Sequence, residues 1–276
     1  MIRQSAPIGI FDSGVGGISI CHAIRRVLPG ERLIYFADVG FSPYGNKSTE
    51  LIHKRSEYIA NFLVNKGCKA IVVACNTATV NSIKNLRSLF SVPIVGVEPG
   101  IKPAMLNSRT GVVGVLATEK TLSSASFQAL KYSFSKTVKV EVQACPEFVH
   151  LVENLDHQGE VAEKVAEQYI QPLLDKGVDQ LILGCTHFSF LRKAIETCVQ
   201  GRAEIIETAI PVAAELKRRL YELNIHREYE GGSGEGGEEG VEEGGEEFWS
   251  SGTASQIAMK INALWGHDSP VREVRP

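Results

Sequence analysis

Ile71-Val72-Val73-Ala74-Cys75-Asn76-Thr77-Ala78 is an apolar run of strand length, then a small residue, a cysteine and the start of a helical stretch. Leu181-Ile182-Leu183-Gly184-Cys185-Thr186-His187-Phe188 repeats that arrangement. Such runs, bounded by turn residues and followed by amphipathic segments, read as buried parallel strands in βα units. Working outward, the same signature predicts strands over 7–11, 32–37, 70–74, 93–97, 111–116, 138–143, 180–183 and 203–206. Helical patterns fall at 17–28, 49–66, 77–90, 122–131, 160–176, 189–199, 211–223 and 253–264. This alternation predicts parallel sheets covered by helices. The strand count and the repeated cysteine unit predict two α/β domains, with a break near Glu98-Pro99-Gly100, where a strand meets turn residues.

The chain has 276 residues, enough for one large or two medium domains. With 43% hydrophobic and 22% charged residues it resembles an ordinary globular protein with a substantial core. A net charge of −3 points neither to nucleic acid nor to an anionic membrane. No stretch approaches the ~18 apolar residues of a bilayer span. Met1–Pro7 has no signal-peptide core. None of the six cysteines forms a C-x-x-C pair, so neither a zinc site nor a redox dithiol is expected. Free thiols fit a reducing cytoplasm. Residues 229–247 are almost entirely Gly and Glu and are expected to form a disordered acidic surface loop.

A cysteine between strand and helix faces the helix N-terminus, whose partial positive charge favours thiolate. Cys75 and Cys185 are therefore candidate acid/base groups serving one site from two sides. His187 is a plausible proton-transfer partner, although a satisfied structural histidine would look the same in sequence. Asn76 and Thr77 could cap a helix or hold a substrate carboxylate. Asp12-Ser13-Gly14-Val15-Gly16-Gly17 follows the first strand; its backbone N–H groups could meet an anion, or it could be only a tight turn. Asp38 ends the second strand before Pro43-Tyr44-Gly45, and Glu147 lies in a loop after Cys145; either could be structural. Cys21, Cys68 and Cys198 read as inert small hydrophobes.

Taken together, Gly9–Gly17, Tyr35-Phe36-Ala37-Asp38, Pro43-Tyr44-Gly45, Ala74–Ala78 and Leu183–His187 resemble the glutamate branch of the aspartate/glutamate racemase superfamily, in family order over roughly residues 7–210. The resemblance implies two doubly wound α/β domains with pseudo-twofold similarity, the active site at their interface. Residues 1–98 plus 208–276 would form one domain and 99–207 the other. It implies cofactor-independent interconversion of L- and D-glutamate, supplying peptidoglycan synthesis, by a cytoplasmic homodimer. Cys75 would take the α-proton of D-glutamate and Cys185 that of L-glutamate. Asp12 and His187 would assist them, with Asp38 and Glu147 as further carboxylates. Ser13, Pro43, Tyr44, Gly45, Asn76, Thr77, Thr118, Thr121 and Thr186 would bind substrate, along with Asp12 and His187. Three features depart from the family pattern: Glu207 in Ile206-Glu207-Thr208-Ala209, the less polar loop Val39-Gly40-Phe41-Ser42, and the acidic loop. Competing readings are an aspartate or broad-specificity racemase, a binding protein with redox-sensing cysteines, and a nucleotide-binding protein built on the Gly-rich turn.

Overall fold

The computed structural model describes residues 4–134, 136–228 and 244–274. Among the described residues, ten strands form two sheets. They are β1 (Ile8–Asp12), β2 (Leu33–Ala37), β3 (Ala70–Val73), β4 (Ile94–Gly96), β5 (Val112–Ala117), β6 (Lys139–Ala144), β7 (Gln180–Leu183), β8 (Glu204–Ile206), β9 (Glu246–Ser250) and β10 (Val271–Glu273). The first sheet has the order β10-β9-β2-β1-β3-β4 and the second β6-β5-β7-β8. Every pairing is parallel. Central strands β1, β2, β3 and β7 are buried along their whole length. That accounts for their near-continuous Ile, Val, Leu and Phe, each worth ~1.5–3 kcal/mol when fully buried.

With β5–β8 counted from one, both sheets contain the order two-one-three-four. In each, the chain leaves the first strand to one side and the third strand returns on the other. The carboxyl edge between those two strands is a topological switch point, where doubly wound sheets bind ligands. Asp12 and Cys75 stand at the first switch point, Thr118 and Cys185 at the second.

Helices α1 (Ile18–Val27), α2 (Thr49–Asn65) and α3 (Asn76–Leu89) accompany the first sheet. The second brings α4 (Ile101–Asn107), α5 (Glu119–Leu122), α6 (Ala125–Phe134), α7 (Pro146–Glu153), α8 (Glu160–Leu174) and α9 (Arg192–Val199). Finally α10 (Ala209–Glu222) packs on α1, and α11 (Ala254–Trp265) lies against α1, β9 and β10. Neither α4 nor α7 shows in the sequence pattern.

The expected acidic loop does not extend to Glu247. Glu246 and Glu247 open β9, which pairs with β2 at Tyr35↔Phe248. Their carboxylates meet distant cations: Glu246 meets Arg25 at 2.7 Å, and Glu247 meets Arg32 at 3.4 Å and Arg272 at 3.1 Å. The loop expectation for 229–243 lies outside the described residues.

Candidate active site

Asp12, the last residue of β1, is fully buried and heavily bonded. Its Oδ1 accepts from Ser13 N at 2.8 Å and Oδ2 from Gly17 N at 2.7 Å. Thr186 Oγ1, from the loop after β7, reaches the same Oδ2 at 3.5 Å. Burial raises the proton affinity of Asp12, although the His187 charge and the N–H groups of Gly17 and Ser13 oppose it. An aspartate so placed can hold or pass a proton beside Cys75.

Cys75 occupies the N-cap of α3, with Sγ accepting from Ala78 N at 3.4 Å and lying 3.7 Å from Ser13 Oγ. The helix N-terminus acts on it as expected, yet does not prevail. Burial, then the Asp12 charge, drives the Cys75 thiol well above its usual range, against Ala78 N–H and Ser13. The expectation of a net thiolate preference at Cys75 is therefore corrected: in this buried setting the thiol is favoured, because desolvation outweighs the helix end.

Cys185 caps a 3-10 turn over Thr186–Leu191, and its Sγ lies 3.7 Å from His187 Nδ1. The other ring nitrogen, Nε2, is 2.9 Å from Glu153 Oε1, which also accepts from Val15 N at 3.1 Å. Burial works against a charged His187, but Cys185, Glu153 and Asp12 outweigh it and raise its proton affinity well above the ordinary value. Glu153 is partly buried, yet the His187 bond and the Val15 N–H hold its pKa down at about 2. Nδ1 is thus placed to exchange a proton with Cys185, while Glu153 fixes the ring.

The Gly-rich turn takes its meaning from these groups. A Cβ on Gly16 would sit 2.3 Å from His187 Nδ1, and one on Gly14 2.0 Å from Glu153 Oε1. The glycines let the imidazole and carboxylate lie against the backbone. The N–H groups of Ser13, Val15 and Gly17 are taken by Asp12 and Glu153. The turn does cradle anions, but they are the protein's own carboxylates rather than a nucleotide phosphate.

Glu147 does not join the thiols. It is exposed in the first turn of α7 and accepts the Tyr169 hydroxyl. The carboxylate that α7 brings to the site is Glu153, six residues later and on another face of the helix. Asp38 is buried and committed. It receives Arg55 Nε at 3.0 Å and Nη2 at 2.8 Å, plus the Tyr44 hydroxyl at 2.6 Å. It holds Tyr44 and its loop rather than standing as a free base. Arg55 is further sandwiched by the rings of Phe41 and Tyr58, at 3.9 and 4.6 Å. Arg55→Met would strand the Asp38 carboxylate; a destabilisation of about 3–5 kcal/mol is expected, checked by denaturant titration.

Thr77, Thr118 and Thr121 bring their hydroxyls together at 2.9–3.1 Å, joining the head of α3 to the loop after β5. Asn76 is 2% exposed, and neither atom of its amide has a partner. A buried, unpaired amide is costly unless something binds it. Beside these residues a cavity of about 100 Å³ opens among Pro43, Gly45, Asn46, Thr118, Ala144 and Val149. A wider surface hollow between α8 and α9, about 480 Å³, lacks both catalytic candidates. The remaining cysteines are free; burial pushes Cys68 up to about 12, as suits an inert core thiol.

Glu153 links acid stability to the site. Its folded pKa of about 2 lies below the unfolded ~4.3–4.5, so its contribution is fully present above pH ~4.5 and fades as pH falls towards 2. Glu153→Gln is expected to flatten that acid limb, removing on the order of 3 kcal/mol of pH-dependent stability, as read by urea unfolding from pH 6 to 2.

Two buried thiols on matching sheet edges, one beside an aspartate and one beside a histidine–glutamate pair, define an α/β protein with a paired acid/base centre. Comparison makes this specific. Residues 9–215 match the family model described as Asp/Glu/Hydantoin racemase, and the chain belongs to that family of isomerases. The chain is 45% identical to a glutamate racemase of Methylococcus capsulatus, over 100% of this chain and 97% of the relative. The solved glutamate racemase of Bacillus anthracis superposes with a TM-score of 0.86 at 29% identity, covering 99% of this chain and 98% of that one. A Francisella tularensis glutamate racemase in complex with D-glutamate gives 0.82 at 26% identity, covering 99% and 98%. The chain thus has the two-domain architecture of those racemases.

Proposed function

We propose that the chain is a cofactor-independent glutamate racemase. The observation that carries this reading is the pair of buried thiols, Cys75 and Cys185, on equivalent edges of two sheets joined by the Thr186–Asp12 contact. Glutamate racemases covering nearly the whole chain, one solved with D-glutamate, support the substrate assignment.

Racemisation removes the Cα proton from one face and returns a proton to the other. In the L-to-D direction Cys185 as thiolate takes the proton, breaking the Cα–H bond and forming S–H. The electron pair stays on Cα and is delocalised into the α-carboxylate. Cys75 as thiol then protonates the opposite face, forming the new C–H bond and leaving thiolate. The reverse direction exchanges the roles. His187 and Asp12 manage the protons of their neighbouring thiols. The substrate's ammonium group brings a positive charge to the buried thiols and favours their thiolate forms. Asn76, Ser13, Thr77, Thr118, Thr121, Thr186 and the Tyr44-Gly45 loop supply donors for the carboxylates, in a buried setting where such hydrogen bonds act strongly.

The two sheets would work as domains of 1–98 plus 208–276 and 99–207, opening to admit substrate. Among the described residues no helix is long and apolar enough to cross a membrane. A cytoplasmic homodimer making D-glutamate for peptidoglycan fits this reading. Circular dichroism of L-glutamate and of D-glutamate with purified protein tests it. The signal of each should decay to zero with no cofactor added, and Cα deuterium should appear in D₂O. Decay with aspartate alone would move the assignment to the aspartate branch; no decay or exchange with either would remove it.

A further inference from the structure

Glu153 has a second oxygen. While Oε1 is occupied by His187 and Val15, Oε2 faces Lys260 Nζ at 3.5 Å. Lys260 lies on α11, in the C-terminal segment that extends the six-stranded sheet, whereas Glu153 ends α7 beside the other sheet. The position of α11 is fixed from α1: the His22 ring stacks on Trp265 at 4.4 Å, and its Nε2 lies 2.9 Å from Leu264 O. Lys260 Nζ is thus delivered to the site from an element with no other part in it.

We propose that Lys260 is a positioning residue for the Cys185 half of the racemase, holding Glu153 so that its other oxygen orients His187. The inference rests on the racemase reading above. Lys260 touches no reacting atom; it acts through Glu153. The groups around this chain are Asp12 from β1, Tyr35 from β2, Cys21 from α1, Cys75 at the head of α3, and Cys185 and His187 after β7. Most of them are acids, so an added cation stabilises their charged forms. Removing the ammonium lets Glu153 and His187 hold protons more tightly. The link runs between the two sheets, so the C-terminal helix and the proton-transfer centre are coupled mechanically as well as electrically.

The test uses Lys260→Met and Lys260→Arg in the full chain. Lys260→Met should lower kcat several-fold in both directions with KM little changed, and shift the pH–rate profile upward by about half a unit. Lys260→Arg should restore both. The His187 ring titration, followed by NMR, should move in the same direction without requiring any turnover. A Lys260→Met protein whose profile and His187 titration superimpose on the parent's overturns the proposal, even if its melting temperature falls. If Lys260→Met does not fold, Lys260→Gln serves for the same readouts. Should the parent protein not racemise glutamate, the functional reading fails, and the His187 titration still decides whether Lys260 governs the Glu153–His187 pair.

Discussion

Replacing either Cys75 or Cys185 by alanine is expected to lower kcat/KM for glutamate by roughly 10³-fold or more. The loss must be equal in both directions. L- and D-glutamate are mirror images of equal free energy, so the two kcat/KM values have a ratio of one in any variant. Each direction passes through the same carbanion, and each needs both thiols, one to take a proton and one to return it. Fold stability should change much less. Cys75→Ala leaves the Ala78 N–H without its sulfur cap, which costs ~0.5–2 kcal/mol. Polarimetric rates beside thermal melts separate the two effects. A single variant retaining a tenth of parental activity would show that one thiol suffices, and the division of labour between Cys75 and Cys185 would fall.

Gly16→Ala is expected to cost about 10²-fold in kcat without removing any group that reacts. The added Cβ would lie 2.3 Å from His187 Nδ1 and 2.7 Å from two ring carbons. Gly16 is backbone of a packed turn, so the imidazole has to move. A displacement of about 1 Å breaks its alignment with both Cys185 and Glu153. Crowding at a filled site adds a destabilisation of ~1–3 kcal/mol. Gly14→Ala should behave alike, because its Cβ would meet Glu153 Oε1 at 2.0 Å. The His187 titration in Gly16→Ala, compared with its kcat, shows whether ring displacement is the cause. An unshifted ring with normal kcat would mean that the turn yields and the glycine is dispensable.

Much of this architecture is legible in the chain because its central strands are buried on both faces and leave unbroken apolar runs. Strands β1 to β8 appear at or near their predicted positions for that reason. Strand β9 is hidden because two of its five residues are glutamates, and their partners Arg25, Arg32 and Arg272 are distant in sequence or on the next strand. Composition alone reads them as loop. The thiols are legible because each local setting is distinctive. Glu153 is not, since it ends the unrecognised helix α7 and its partner His187 lies in another segment. Glu147 looks equally promising in sequence; only the angular position on α7 separates them. Asp38 is identifiable as a buried acid at a strand end, but its commitment to Arg55 and Tyr44 depends on α2 folding back over β2. The charge of Cys75 was likewise beyond a local reading, because helix polarity is visible in sequence and desolvation is not.

The strand order shared by the two sheets has a geometric consequence. A chain of L-amino acids cannot build a mirror plane, yet its substrate and product are reflections of one another. Rotation offers the available substitute. A half-turn about an axis lying in the plane of a flat carbanion carries its upper face onto its lower face. In the proposed mechanism, two copies of one strand pattern related by such a half-turn would present equivalent cysteines to opposite faces with no need for a reflected fold. What the rotation cannot equalise is the company each thiol keeps: aspartate and serine on one side, histidine and glutamate on the other. The two enantiomers should consequently saturate the protein at different concentrations and turn over at different maximal rates, while remaining bound to a single ratio of efficiencies.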